Sequence, residues 1–422
     1  MTFLLAAALS VNAYSRDRIN LSASLPAGKY NVDVFDTASG TIDDKGGCVV
    51  VSDGNAVVPS PELQSKGDIV LVLSPVPATA SGVMDLLGNA SRENRILFGQ
   101  QDYPYYGHDW EYEEGRSDCR DVVGDVPAVL GCELGDLELG HECNLDGVPF
   151  DTMRKWIIAH SKKGPVTISW HCNNPATGGN AWDCTGNDAV KSVLKGGKNH
   201  EKFMSWIGAV AEFLLSLRDE CGNQIPILFR PWHEHTGSWF WWGERQCSRD
   251  EYVSLWEMTV SALKSYGLDE LLFVYSPSSN SSETESLYMN KYPGDDFVDV
   301  LGLDYYYNRS DAGFAESLRQ RLSMISRIAG QRGKLFALTE TGNGGLSHES
   351  WWTEVLMKGM EGTGVSYVLV WRNANVKRQG QNHYFVPYLG GKGIEDFVKF
   401  YDMEDILFLD DLPCAAKESE MK

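Results

Sequence analysis

The chain has 422 residues, 43% of them hydrophobic and 23% charged, with 42 glycines and 16 prolines, a globular composition long enough for one large domain and a small one. Its 58 acidic residues against 37 basic ones leave a net charge of −21, a field that repels nucleic acid and anionic membranes but not a neutral polymer. Beyond the N-terminus there is no stretch of about 20 apolar residues, which excludes a membrane span there, and the nine scattered cysteines contain no C-x-x-C pair, which speaks against a zinc cluster.

At the N-terminus, residues 3–9 (FLLAAAL) followed by Val11-Asn12-Ala13 have the length of a signal-peptide apolar region and cleavage site. No Lys or Arg precedes Arg16, and that favours the rival reading, a β-strand of a module that begins upstream. Residues 15–75 are turn-rich. LPAGKYNVDVFDTASG, CVVVSD and DIVLVL read as strands, and no helical periodicity interrupts them. Residues 1–75 are therefore expected to form a small all-β, sandwich-like module, with 76–90 as a linker. Such modules resemble those found beside polysaccharide-degrading domains.

From residue 91 the pattern changes. RILFG (95–99), VPAVLGCEL (126–134), VTISWH (166–171), IPILFRPWHE (225–234), LLFVYSP (271–277), VDVLGLDYY (298–306), KLFALTETG (334–342) and SYVLVWRNA (366–374) are eight apolar strand candidates. Helical stretches such as 199–220 and 249–267 separate them, with apolar residues at three- and four-residue spacing. Eight strands alternating with helices predict a (β/α)8 TIM barrel over 91–412. The rival doubly wound sheet would carry a Gly-rich turn after its first strand; here QQDYPYYGHDW follows, so no dinucleotide cofactor is expected.

The strands end in polar and aromatic groups: Arg230-Pro-Trp-His-Glu234, Asp304-Tyr-Tyr306, Thr339-Glu340 and Trp371-Arg372-Asn373. In a barrel that rim carries the active site. Glu234 and Glu340 end the fourth and seventh strands, across one mouth. Two such carboxyls are what glycosidic cleavage requires: about 5–5.5 Å apart for retention, about 6.5–9.5 Å for inversion. A single rim glutamate is more often a salt-bridge partner; two, each inside a dense aromatic motif, point to chemistry. Thirteen Trp and 18 Tyr supply faces for sugar rings, although most must be core.

RPWHEHTGSWFWWG (230–243), with ISWHCNNP (168–175), VDVLGLDYY (298–306) and YVLVWRNA (367–374), resembles glycoside hydrolase family 26, whose best-known members are β-mannanases; the motifs stand in the family's order and cover 91–412. The resemblance implies a retaining endo-β-1,4-mannanase acting on mannan, glucomannan or galactomannan, with another β-glycan or mannobiose-releasing exo action as the alternative. It implies Glu234 as acid/base and Glu340 as nucleophile. His171, Trp182, His233, Trp239, Tyr306, Trp371 and Arg372 are implied as substrate-binding or cleft residues, with Tyr306 and His233 candidate partners of the nucleophile. His235 stands where the family leads one to expect Asn.

Each has a plainer reading. His171 could be a satisfied core histidine, Arg230 and Asp304 could pair inside the barrel, and some of Trp239, Trp241 and Trp242 must pack. Tyr305 and Tyr307 should face away from Tyr306. His233 and His235 would share one face of a strand, but no third metal ligand is in sight, so neither metal nor cofactor is expected. A silent carbohydrate-binding barrel would have lost a carboxylate; both are present. A polymeric substrate implies an extracellular, periplasmic or cell-surface location, and a monomer is expected. Cys172 and Cys184 are near enough in sequence to close a loop.

Overall fold

A computed structural model describes residues 79–412, except 187, 220–221, 281, 309–312 and 375–382, together with seven strands between Ala7 and Pro75. Ala7–Val11, Ile69–Pro75, Gly28–Asp36 and Thr41–Asp43 pair in that order, with Cys48–Val51 also on Gly28–Asp36. Arg18–Ser22 pairs with Asn55–Pro59 in a second sheet. All pairs are antiparallel. Ala7–Val11 thus lies along Ile69–Pro75 as a strand.

The rest is a closed barrel of eight parallel strands: β1 (Ile96–Gln101), β2 (Val129–Glu133), β3 (Val166–Trp170), β4 (Ile227–Pro231), β5 (Leu271–Tyr275), β6 (Val300–Asp304), β7 (Leu335–Thr341) and β8 (Tyr367–Val370). The ring closes where β1 pairs with both β2 and β8. The eight apolar runs of the sequence are these eight strands, shorter at most ends. Seven of them are buried at every position, and β7 at all but its first residue, because helices cover the outside and side chains fill the inside.

Alternation divides the core in two. Leu97, Val129, Leu228, Leu272, Val274, Val300, Ala337 and Leu369 form one cluster with Val83, Leu87 and Ala90 of the helix Ala80–Arg92. Their strand neighbours Phe98, Leu130, Phe229, Phe273, Leu301, Leu338 and Val368 belong to the other cluster, with the outer helices. The helix Ala80–Arg92 takes up most of the stretch 76–90 expected to be a linker and runs two residues beyond it. Thr79 caps it, accepting from the Gly82 amide at 3.1 Å, and its buried face packs on the barrel. Helices Phe150–His160, His200–Ser216, Arg249–Ser265 and Phe314–Arg332 flank the strands. The helical stretches expected over 199–220 and 249–267 are thus His200–Ser216 and Arg249–Ser265, the latter starting in a Ser248–Glu251 capping box.

Candidate active site

Above the apolar layer the barrel interior turns polar. Arg230 lies two residues beyond Leu228, so it faces inward from β4, and its side chain is fully buried. A buried guanidinium must find acceptors. Nη1 donates to Asp304 Oδ2 at 2.7 Å and Ser276 Oγ at 3.0 Å, and Nη2 donates to Glu340 Oε1. Asp304 also accepts from Thr339 Oγ1 at 2.6 Å. Arg230 and Asp304 therefore do pair, as the plain reading had it, but the same arginine also holds Glu340.

Ala337 and Thr339 face inward, so strict alternation would turn Glu340 outward. The β6–β7 and β7–β8 registers both shift here, Asp304 pairing with Glu340 and Thr341 with Val370. One extra residue on β7 turns Thr339 and Glu340 to the same interior, as a bulge does. Tyr306 Oη donates to Glu340 Oε2 at 2.7 Å, so both carboxylate oxygens have donors and the side chain is fixed. Tyr305 and Tyr307 turn away, packing on Phe314.

β4 stops at Pro231, and Glu234 lies on the turn beyond it. Trp232 and Glu234 both have left-handed backbones, φ 50° and 53°. The expectation that His233 and His235 share a strand face fails for this reason, and with it the two-histidine metal site. Glu234 donates its amide to Ser276 O at 2.8 Å, and its Oε2 accepts from Trp239 Nε1 at 2.7 Å. Gly237 makes that approach possible: a Cβ there would lie 2.3–2.5 Å from the Trp239 ring. Burial, reinforced by the negative charges of Glu340 and Asp304, holds the Glu234 carboxyl well above the ordinary glutamate range, against the pull of the Trp239 bond and Arg230.

Oxygens of Glu234, Asp304 and Glu340 lie within 4.8 Å of one another. This is the one carboxylate grouping with metal-like spacing among the described residues. Arg230 already supplies the positive charge between Asp304 and Glu340, and a cation would have to displace it.

His171 follows β3 and lies beside this pair. Its Nδ1 is 2.8 Å from Glu133 Oε2 and its amide donates to Glu133 Oε1 at 2.7 Å. Burial alone would lower the basicity of His171; the Glu133 charge and hydrogen bond outweigh it, and the net shift is upward. The His233 ring is pushed well down, by burial first and then by Arg230 and His171. Their Nε2 atoms are 3.1 Å apart, a hydrogen bond that joins the two rings. His233 therefore supports His171; none of its side-chain bonds reaches Glu340.

Trp182 stacks on the His171 ring at 5.1 Å and 17° and is 47% exposed, and Trp239 is 36% exposed, whereas Trp241 and Trp242 are at most 1% exposed. The first two leave part of their rings open to solvent; the other two are core. Trp371 is half-buried at the end of β8. Arg372 is buried, and its Nη2 forms an ion pair with Asp146 Oδ1 at 2.6 Å. The predicted residues thus gather at one mouth. The reading of the sequence missed Glu133, which ends β2 as the other rim carboxylates end theirs, and Asp146, whose loop position carried no signal. Cys172 and Cys184 are free thiols.

A carboxyl with raised proton affinity beside a carboxylate fixed by Arg and Tyr, between exposed aromatic faces, suits acid-assisted displacement at a sugar carbon. A family model described as Glycosyl hydrolase family 26 matches residues 73–371. A mannan endo-1,4-beta-mannosidase of Bifidobacterium adolescentis is 32% identical over 358 residues, 78% of this chain but 35% of its own length. One of Bacillus subtilis strain 168 is 31% identical over 248 residues, 54% of this chain and 64% of its own. The chain therefore spans about a third of the first relative and just under two thirds of the second. The solved GH26 beta-mannanase BoMan26A of Bacteroides ovatus is 43% identical, with a TM-score of 0.76 over 82% of this chain and 99% of that one. A modular endo-beta-1,4-mannanase of Cellulomonas fimi is 32% identical, with a TM-score of 0.73 over 80% and 76%.

Proposed function

Because the chain belongs to glycosyl hydrolase family 26, and its carboxylates stand as a retaining pair would, we propose that it is an endo-β-1,4-mannanase that cleaves mannan, glucomannan or galactomannan by double displacement. The observation that carries this reading is the pair itself: Glu234 and Glu340 oxygens within 4.8 Å, one carboxyl with its proton affinity raised by burial and the other held by Arg230 and Tyr306. That gap supports retention, since inversion needs room for a water between the carboxyls.

In the first step a Glu340 oxygen attacks the anomeric carbon while Glu234 gives its proton to the glycosidic oxygen. The C–O bond breaks, leaving a glycosyl ester on Glu340. That ester carries no charge, so one cause of the raised Glu234 affinity for protons is gone. Glu234, now a carboxylate, then takes a proton from water as the water oxygen attacks the same carbon. Breaking the ester restores both side chains. Arg230 and Tyr306 aim the nucleophile, Trp239 aims the acid, and Trp182, stacked on His171, offers an apolar face to the reacting sugar. Arg372, charged and paired with Asp146, faces the next sugar toward the non-reducing end.

The named activity of the solved and sequence relatives supports the mannan assignment. A polymeric substrate supports a location outside the cytoplasm, and the enzyme is read as a monomer. The test is a product time-course on unsubstituted mannan and on galactomannan, with anomers followed by NMR. The expected result is a spread of β-configured mannooligosaccharides from the earliest times. Early release of mannobiose alone would replace endo by exo action; α-configured first products would overturn retention; cleavage of lichenan or β-1,3-xylan with mannan intact would move the substrate. Glu340→Ala should lower kcat by about 10³-fold or more.

A further inference from the structure

His235 follows the proposed acid, and its imidazole has no solvent exposure. Both ring nitrogens meet phenols: Nδ1 lies 3.0 Å from Tyr252 Oη and Nε2 lies 3.0 Å from Tyr275 Oη. Each phenol also reaches a backbone carbonyl at 2.9 Å, Tyr252 to Trp232 O and Tyr275 to Tyr288 O. If both phenols donated to those carbonyls, both ring nitrogens would have to donate, and the ring would be a buried cation. Burial and the nearby Lys291 ammonium, itself buried and paired with Glu244, oppose that. In the neutral ring with Nδ1–H, Tyr252 keeps its proton on Trp232 O, while Nε2 accepts the Tyr275 proton.

Trp232 O belongs to the turn that carries Glu234. Two bulky residues in that turn, Trp232 and Glu234, have φ of 50° and 53°, a region L side chains occupy only where the surroundings impose it. The Tyr252 hydroxyl holds the carbonyl of the first, and His235 orients that hydroxyl from the far end of the same turn.

We propose that His235 and Tyr252 are positioning residues: a buried clamp that holds the left-handed Trp232–Glu234 turn and so presents the Glu234 carboxyl to the leaving oxygen. The inference rests on Glu234 being the acid. A misdirected acid leaves a kinetic mark that general destabilisation does not. Proton donation matters when the leaving group is a sugar alkoxide and matters little when it is dinitrophenolate. His235→Phe and Tyr252→Phe are compared with the parent in kcat/KM on mannopentaose and on 2,4-dinitrophenyl β-mannobioside. On mannopentaose kcat/KM should fall by roughly tenfold or more; on the activated substrate it should stay within about threefold of the parent. Equal losses on both substrates, or none on either, overturn the clamp. If His235→Phe does not fold, Tyr252→Phe decides alone, since it removes a single hydroxyl. A parent that cleaves neither substrate sinks the mannanase reading itself and leaves the clamp without an acid to aim.

Discussion

At the residue scale the mouth works by giving two glutamates opposite surroundings. Glu340 accepts from Arg230 and Tyr306; Glu234 has one donor, Trp239, and two negative neighbours. The Trp239 bond favours the charged form of Glu234, so Trp239→Phe should raise the proton affinity of that carboxyl further. The alkaline limb of the kcat/KM profile, where the acid is lost, should move to higher pH, with activity down roughly tenfold, what one hydrogen bond to a charged group carries. A limb that moves to lower pH would contradict the assignment. His160 gives a second test. It accepts from Tyr103 Oη at 3.0 Å through Nδ1 and donates from Nε2 to Ala128 O at 3.1 Å, and burial lowers its pKa to about 4. The unfolded chain takes up that proton near pH 6.5 and the native one does not, so stability present at neutral pH is lost as pH falls from 6.5 towards 4. The loss approaches roughly 3 kcal/mol at pH 4. Thermal melts of His160→Gln over that range should show a visibly flatter fall than the parent; parallel slopes would remove His160 as a cause. These residues differ in how plainly the sequence announces them. Glu234, Trp239 and Tyr306 stand in dense motifs, whereas His160 looks like any helix-terminal histidine, and Glu133 like any strand-end carboxylate.

At the element scale the decisive feature is the extra residue on β7. Period-two reasoning placed Glu340 at a strand end but could not turn it inward, because alternation from Ala337 points it out. The register shift against β6 and β8 makes the turn. Thr339 then fills the layer beneath, above Gly302, where a Cβ would come within 2.6 Å of Thr339 Oγ1 and 2.8 Å of Ser276 Cβ. Gly302→Ala should therefore push Thr339, Asp304 and Glu340 apart. It should cost about 1–3 kcal/mol in denaturant unfolding, as overpacking does, and lower kcat more than it changes KM. An alanine variant with parental stability and kcat would show that the layer has slack. Strand four shows the reverse limit of periodicity: alternation carried on to residue 235 in the reading, but the chain leaves β4 at Pro231, and the left-handed turn, not the strand, sets where Glu234 and His235 face.

At the scale of the whole molecule, the carboxylates and exposed tryptophans collect at the C-terminal ends of the strands, while the helix Ala80–Arg92 joins the apolar layer near their beginnings. Val83, Leu87 and Ala90 share a cluster with Leu97, Leu369 and Leu407. A fragment of residues 76–412 should fold and keep its activity on mannooligosaccharides. One of residues 93–412 should lose several kcal/mol, since burying each Leu or Val side chain stabilises by about 1.5–3 kcal/mol, and circular dichroism melts would register it. Equal melting of the two fragments would make the helix dispensable. The sequence by itself determined the barrel, because eight apolar runs buried on both faces and separated by amphipathic stretches leave few other ways to remove so much apolar surface from water. It also determined the residues at the rim, because polar groups at the ends of such runs have nowhere else to go. Only the tertiary structure decided which of them act together. Arg230 between Asp304 and Glu340, the bulge that turns Glu340 inward, Glu133 behind His171 and Tyr252 behind His235 are pairings across strands or from loop to helix. They depend on register and on where the chain leaves the strand, and a linear pattern of apolar and polar residues does not carry that information.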